Sequence, residues 1–316
     1  MTVHHVAATP ATVRWGVVAA DIPPVLTVRS GDGVMLECVS GGPEVMPPSG
    51  SPFRVPAALA AIHARVPRGP GHILTGPVAV AGARPGDMLE VRVEEIAFGA
   101  DWGYCGFRPL AGTLPEDFPE RFLSHIPIDA AAGTCRLSWG TTLPLRPFFG
   151  VMGVAPAPLY GVLSTIEPRA HGGNIDCKEL GAGSTLYLPV WAEGALFSAG
   201  DGHGVQGDGE VCVNALEVCL TGVFTLILHR RTGEAPLLSW PRAETPTHFI
   251  SMGMHADLDC AMRQALREMI AFITARSALS RQQAYQLCSL AADFRVTQTV
   301  NGCQGVHGML EKRLLA

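Results

Sequence analysis

The sequence predicts a mainly β protein of the α+β class, in which the helices come after most of the strands. Glycine and proline are frequent, with 36 and 25 residues, and almost all of them precede residue 250. Glycine and proline at this frequency interrupt regular structure and favour short strands joined by turns. Helical spacing of apolar residues begins only after residue 257. Strands followed by helices and a last strand are typical of an α+β arrangement.

The strand candidates fall into two sets. The stretch 88–93 alternates apolar and polar residues, as a half-buried strand does. Residues 99–144 are rich in aromatic residues, glycine and proline, which predicts long ordered loops between the two sets. Short turns between strands indicate an antiparallel or mixed sheet. The candidates are residues 25–28, 34–39, 76–80 and 88–93 in the first set, and 186–190, 195–199, 211–220 and 224–229 in the second.

The C-terminal part of the chain is predicted to be helical. In Leu258–Arg276 the apolar residues keep helical spacing, and Asp257 is the candidate N-cap. Ser280 and Gln283 form a capping-box pattern that opens a second helix, and residues 296–300 predict a closing strand. The chain is thus divided into an N-terminal β-rich part, a central β-rich part with the polar motifs, and a helical C-terminal part packed on the sheets, at 1–160, 161–250 and 251–316.

Composition excludes several classes of protein. The 316 residues are 47% hydrophobic and 16% charged, which predicts a globular protein with a large core. The net charge of −5, without a basic block, argues against a nucleic-acid partner. No apolar run reaches the ~18 residues of a membrane span, and the first residues lack a secretory signal pattern. Nine cysteines without a C-x-x-C pair disfavour a zinc ribbon and a disulfide framework, so the expected compartment is the cytoplasm.

Residues 171–217 carry the polar chemistry of the chain in glycine-rich surroundings. Carboxylates and imidazoles are common ligands of divalent metals, so Asp176, Asp201 and His203 are the candidate metal ligands. If the backbone is extended at Asp201, it and His203 project the same way. His72, which precedes a strand candidate, is a further candidate ligand. Three ligands with an open position are typical of a catalytic metal, whereas the alternative is aspartates that cap turns.

Three further residues are candidates for catalysis. Glu210, predicted at the start of a strand, is placed to move a proton near a metal, unless it is an exposed strand-edge residue. Glu37 lies between apolar residues, and we expect it to point inward, where a buried carboxylate needs a partner. Lys178 is a candidate for stabilising an oxyanion, unless it forms an ordinary surface salt bridge.

The motifs in this segment resemble those of the acetamidase/formamidase family. The resemblance extends over nearly the whole chain, and its parts occur in the family's order. The N-terminal signature is similar at residues 75–78 and 82–87, the central one at 171–176 (HGGNID) with Lys178, 186–190 (LYLPV), 194–198 (GALFS), 200–203 (GDGH) and 206–210 (QGDGE), and the C-terminal one at 290–298 and 300–302.

The resemblance implies hydrolysis of a short-chain amide, with formamide as the first choice, to a carboxylate and ammonia. It further implies a divalent metal, zinc being the usual suggestion, and assembly into a homo-oligomer. Calcium is a further candidate, as a second or structural ion. Asn174 and Gly173, in the first central motif, become candidate substrate-binding residues. The fold implied is a β-sandwich and barrel assembly with an α/β C-terminal part, in agreement with the strand and helix pattern.

Two alternatives stay open at this point. An amidohydrolase for a cyclic or larger amide, such as a lactam, would use the predicted loops at 102–144 to shape its pocket. A metal-binding β protein without activity would have a closed coordination shell and no position for water.

Overall fold

The computed structural model describes residues 2–315, and strands are its main element. Within that range the chain has 21 strands and three α-helices, so the predicted mainly β, α+β class is confirmed. No helix among these residues combines the length and the hydrophobicity needed to cross a membrane. The helices are α1 Ala57–Arg65, α2 Leu258–Arg276 and α3 Arg281–Ala291, with 3₁₀ turns at Pro43–Val45, Pro158–Tyr160 and Lys312–Leu314.

The strands are short, as the spacing of glycine and proline predicts. The first eleven are β1 Val3–Val6, β2 Val13–Trp15, β3 Val17–Val18, β4 Leu26–Val28, β5 Asp32–Cys38, β6 Ile73–Val80, β7 Met88–Phe98, β8 Trp102–Phe107, β9 Phe122–Asp129, β10 Thr134–Arg136 and β11 Thr142–Pro144. The others are β12 Phe148–Gly153, β13 Leu163–Ser164, β14 Gly172–Asn174, β15 Thr185–Pro189, β16 Phe197–His203, β17 Leu220–His229, β18 Arg242–Glu244, β19 His248–His255, β20 Ala292–Gln298 and β21 Gln304–Glu311.

The largest sheet has nine strands in the order β1-β5-β17-β7-β15-β18-β19-β21-β20. Its pairs are antiparallel apart from β1 with β5, as the short turns predicted. Strands from all three predicted parts of the chain join this sheet, and α2 packs on β19 and β21. The division at residues 160 and 250 stays a prediction.

A second sheet of six strands positions the polar motifs. Its order is β14-β12-β16-β6-β2, with β4 parallel to β6. Phe149 of β12 and Phe197 of β16 lie 5.3 and 5.5 Å, between ring centroids, from Phe224 of β17 in the large sheet. All three rings are almost fully buried. Each buried ring contributes roughly 1.5–3 kcal/mol, so these contacts hold the two sheets together.

Residues 99–144 contain four strands, where their composition predicted only long loops, and that prediction was wrong except for the irregular stretch 108–121. β8, β9, β10 and β11 pair as a four-stranded antiparallel sheet. The strand pattern was hidden because one face of this sheet carries exposed aromatic side chains, such as Phe122 and the nearby Trp139. Alternation of apolar and polar residues is clear only where one face is solvated and polar.

The predicted strand at 211–220 was also wrong. β17 begins only at Leu220, and residues 211–219 run as irregular backbone. Glu217 in this stretch forms isolated bridges with Tyr104 and His203. A turn at Glu210–Val213, with left-handed φ angles of 45° and 79° at its ends, prevents a regular ladder here.

The predicted helices are confirmed with their caps. Asp257 Oδ1 accepts a hydrogen bond from the backbone N–H of Cys260 at 2.8 Å, which caps α2. Ser280 and Gln283 form the reciprocal capping box that opens α3. Gly253 of β19 lies directly beneath α2, where Ala261 and Ala265 face the sheet.

A methyl group at Gly253 is expected to separate helix from sheet. Its Cβ would stand 2.0 Å from Ala261 O and 2.6 Å from Ala265 N, both backbone atoms that cannot move aside cheaply. Gly253→Ala is therefore expected to lower the free energy of unfolding by about 1–3 kcal/mol or more, measured by urea denaturation. Gly233→Ala, where no atom lies within 4 Å of the added Cβ, is the matched control. Equal stabilities for the two variants would contradict this packing.

Candidate active site

Four carboxylates surround one imidazole in the interior, at the end of β16. We call Asp176, Asp201, His203, Glu210 and Glu217 the carboxylate cluster, and all five are buried. Nε2 of His203 lies 3.1 Å from Oε1 of Glu217 and 3.3 Å from Oδ2 of Asp201. It lies 3.9 Å from Oε1 of Glu210. The ligand atoms of Asp176, His203 and Glu210 lie within 4.8 Å of one another, as do those of Asp201, His203 and Glu217.

The six-stranded sheet brings these side chains together. Asp201 and His203 belong to β16, and Asp176 follows β14 by two residues. β12 lies between β14 and β16, and its Gly150 faces the cluster. A Cβ at Gly150 would stand 2.5 Å from Oδ2 of Asp201 and 2.6 Å from Oδ1 of Asp176. The absence of a side chain at this position gives the two carboxylates their space.

The backbone at three members of the cluster is left-handed. Asp176, Asp201 and Glu210 have φ angles of 53°, 56° and 45°, which residues with a Cβ seldom adopt. Each costs about 1–3 kcal/mol and persists only where the surroundings impose it, which is common at functional sites. Asp201 and His203 do meet, although the backbone at Asp201 is left-handed and the condition of an extended backbone does not hold.

The tautomer of His203 follows from its neighbours. Gln206 Nε2 donates to the carbonyl oxygen of Asp176 at 2.8 Å, so Gln206 Oε1 is the atom that faces Nδ1 of His203 at 2.9 Å. An amide oxygen only accepts, and Nδ1 of His203 therefore carries a proton and donates it. Its Nε2 points into the carboxylates without a hydrogen-bond partner. This is the arrangement of a metal-ligating histidine whose other nitrogen is held by a polar neighbour.

His72 directly precedes β6, and its imidazole lies next to Asp201 of the cluster. Its Nδ1 lies 3.2 Å from the carbonyl oxygen of Thr165, which can only accept. Its Nε2 lies 3.7 Å from Oδ2 of Asp201, and the side chain is 24% exposed. His72 thus presents Nε2 to a carboxylate in the same way as His203.

The chemistry of these atoms fits a cation at the centre. Asp176 Oδ1, His203 Nε2 and Glu210 Oε2 are buried and have no hydrogen-bond partner in the structure. Burial raises the pKa of Asp176 to about 7, and burial beside Asp176 raises the pKa of Glu210 well above its ordinary value. Acceptors that face acceptors in a buried site need protons or a positive ion between them. The mixed oxygen and nitrogen donors suit a divalent transition metal.

Two polar residues donate hydrogen bonds to carboxylates of the cluster, Asn301 to Asp176 and Ser40 to Glu217. Nδ2 of Asn301 donates to Oδ2 of Asp176 at 2.6 Å, which leaves Oδ1 free to face the centre. Oγ of Ser40 donates to Oε2 of Glu217 at 3.3 Å. Such partners orient metal ligands, and their removal typically lowers metal affinity by about 10–100-fold.

Glu217, Gly150 and Asn301 belong to this site, although no pattern in the sequence predicts them there. Glu217 is the last residue of the polar segment 171–217. The wrong prediction of a strand at 211–220 placed it inside a regular strand and not at the site. Gly150 carries no chemical group, so only the packing around it reveals its role. Asn301 lies 125 residues from Asp176 in sequence, just after the predicted strand at 296–300, and no local pattern connects the two.

Two candidate catalytic residues lie outside the cluster. Lys178 pairs with Asp208 at 2.9 Å, and both side chains are about a third exposed or less. Glu37 pairs with His5 at 2.8 Å, and its side chain is 39% exposed, so the expectation that it points inward is wrong. Leu36 beside it is fully buried, and successive side chains of a strand point to opposite faces, which turns Glu37 away from the core.

The two candidate substrate-binding residues lie in β14, at the edge of the six-stranded sheet. Nδ2 of Asn174 donates to the carbonyl oxygen of Ile166 at 2.9 Å, and its Oδ1 is buried without a partner. Gly173 has φ of 87°, and a Cβ there would approach Nε2 of His171 to 3.3 Å. A role of either residue in binding substrate stays a prediction.

Comparison with known proteins gives one consistent answer. The model of the acetamidase/formamidase family matches residues 5–159 and 161–307. The acetamidase of Mycolicibacterium smegmatis is 28% identical over 262 residues, which cover 65% of this chain and 62% of that protein. The formamidase of Methylophilus methylotrophus is 27% identical over 244 residues, which cover 60% and 58%. The matched region thus spans about three fifths of these curated relatives.

A solved structure resembles the whole chain. The crystal structure of acetamidase from Bacillus halodurans superposes with a TM-score of 0.83 at 29% sequence identity. The match covers 98% of this chain and 98% of that one, so the two share the fold from end to end.

Gly150→Ala is expected to weaken metal binding while the fold persists. The added Cβ would overlap the carboxylate oxygens of Asp176 and Asp201, which must then move out of position. We expect zinc affinity, measured by equilibrium dialysis with elemental analysis, to fall about tenfold or more, as it does when ligand-positioning residues are changed. Gly181→Ala, whose Cβ meets only Pro147 O at 3.5 Å, is the control. Unchanged zinc affinity in a folded Gly150→Ala protein would argue against an ion between these aspartates.

Proposed function

The chain belongs to the acetamidase/formamidase family, and we propose on that premise that it hydrolyses a linear amide to a carboxylate and ammonia. The observation that supports this most directly is Nε2 of His203, which makes no hydrogen bond and lies 3.1 Å from Glu217 Oε1 and 3.3 Å from Asp201 Oδ2 among four buried carboxylates. Formamide is the reference substrate because it is the first choice among the short-chain amides that the family resemblance implies. The reaction consumes one water and yields RCOO⁻ and NH₄⁺ from RCONH₂.

We assign Asp176, Asp201, His203 and Glu217 to holding the cation, with His72 at its more open side. When bound, a divalent ion lowers the pKa of a water and polarises an amide carbonyl. Zinc suits imidazole and carboxylate donors, although such a set accepts other divalent metals as well. Calcium as a second or structural ion stays a prediction, as does assembly into a homo-oligomer.

Glu210 is the residue that we assign to proton transfer. Its Oε2 has no partner, and its carboxyl has a raised pKa because it is buried beside Asp176. A carboxyl group at this position can accept a proton and release it again, as a general acid and base must. Glu210 would take a proton from the attacking water and deliver it to the departing nitrogen, which leaves as ammonia.

Gln206 and Asn301 act as positioning residues. Gln206 connects Nδ1 of His203 to the backbone of Asp176, so it fixes the direction of the imidazole. Asn301 holds one oxygen of Asp176 and thereby aims the other. We assign no catalytic role to Lys178 or Glu37. Lys178 pairs with Asp208, and Glu37 pairs with His5.

Removal of metal is expected to abolish hydrolysis. Dialysis against a chelator should reduce ammonia release from formamide and acetamide by about 100-fold or more, because a Lewis acid contributes several kcal/mol to such reactions. Addition of zinc should restore the activity. Full activity in protein whose metal-free state is verified by elemental analysis would refute the metal-dependent mechanism.

Glu210→Gln is expected to lower kcat by about 10²–10⁴-fold, since general acid and base catalysis contributes on that scale. The amide keeps the size of the side chain but cannot carry the proton. Ammonia release and bound zinc are measured on the same preparation, and Glu116→Gln at an exposed position is the control. A kcat equal to that of the control would exclude Glu210 from proton transfer.

A further inference from the structure

An apolar cavity of about 380 Å³ lies beside the carboxylate cluster. One wall is the four-stranded sheet β8–β11, and the other is the loop at residues 205–216. The large apolar side chains of the first wall are Phe107, Phe122, Ile126, Leu137, Trp139 and Leu143.

The cavity and the cluster share one loop. Gln206 and Glu210 belong to the cavity wall, and both also contact the centre. Gln206 Oε1 accepts from His203 Nδ1 at 2.9 Å, and Glu210 Oε1 lies 3.9 Å from His203 Nε2. Leu216 lines the cavity directly before Glu217 in the chain. A group held in the cavity therefore lies next to the residues assigned to the reaction.

The size of this cavity exceeds what formamide needs. Formamide has no carbon beyond its carbonyl, whereas pockets of roughly 300–1,000 Å³ with mostly apolar walls are typical of larger organic ligands. The walls carry the acidic residues Asp208 and Glu210 and, among the residues that the structure describes there, no lysine, arginine or histidine. Such walls favour an uncharged apolar acyl group and disfavour one that carries a carboxylate.

The aromatic side chains indicate what kind of apolar group fits. Phe107 and Phe122 stack at 5.6 Å with an interplanar angle of 20°. Phe122 and Trp139 at the mouth are 53% and 68% exposed, which leaves ring surface available to a ligand. Aromatic rings prefer offset-stacked or edge-to-face contacts with other rings.

We infer that this cavity binds the acyl part of the substrate, and that the enzyme prefers amides with an uncharged aromatic acyl group over formamide. The inference rests on the proposed amide hydrolysis and names its substrate class. Burial of the acyl group in the cavity would place the amide at the loop that carries Glu210.

The first test compares substrates with the metal-loaded enzyme. We expect kcat/KM for phenylacetamide to exceed that for formamide by about tenfold or more, because each added methylene in an apolar pocket is worth roughly 10–200-fold. A higher kcat/KM for formamide would overturn the inference while leaving amide hydrolysis intact.

The second test changes the cavity at two exposed positions. Trp139→Ala removes a ring from the mouth, and Val211→Trp, at a side chain that is 57% exposed, fills the space. Both are expected to lower the ratio of kcat/KM for phenylacetamide to that for formamide by about tenfold. Tyr160→Ala and Val162→Trp, at equally exposed positions outside this cavity, are the matched controls and should leave the ratio unchanged.

Two other results are informative. If wild type hydrolyses no amide at all, the proposed function fails and the inferred preference fails with it, whereas a higher kcat/KM for formamide overturns the preference alone. If Trp139→Ala dissociates an oligomer in light scattering and the substrate ratio stays constant, the aromatic surface is a contact between copies of the chain. That result would also overturn the inference.

Discussion

The mutual repulsion of buried carboxylates around Nε2 of His203 is the constraint on which this structure depends. Four acids and one imidazole in an interior site are stable only if protons or a cation balance them, since like charges in a low dielectric cannot all ionise. Asp176 shows the consequence, because burial raises its pKa to about 7. Such an arrangement is costly for folding, and buried groups with shifted pKa values of this kind cluster at functional sites.

The two sheets supply the rigidity that this repulsion demands. Phe149 and Phe197 of the smaller sheet pack on Phe224 of the larger one, which fixes β12 with Gly150 and β16 with Asp201. Left-handed backbone at Asp201 persists because the strands on either side are paired. Gly150 provides the remaining space, so stability of the core and geometry of the site come from the same residues. A rigid support of this kind holds ligands within the tolerance that a metal centre needs.

The errors of the sequence analysis have a common physical origin. Patterns along the chain identify residues that are suited to chemistry, but they do not say which way a side chain faces when both faces of its strand are partly covered. Glu37 has apolar neighbours and still turns away from the core. Lys178 adjoins the central motif and pairs with Asp208 instead. The four-stranded sheet at residues 102–144 lacks regular alternation because its exposed aromatic face lines the cavity beside the site.

By itself, the sequence determined the fold class, the helix caps and the candidate ligands Asp176, Asp201 and His203, because hydrophobic periodicity, capping and motif chemistry are encoded in residues close along the chain. The tertiary structure alone decided that Glu217 and Asn301 join them. These contacts link residues that are distant in sequence, and they depend on how the two sheets pack. Local patterns carry no signal for such contacts, since only the packed backbone determines which distant polar groups share one buried point.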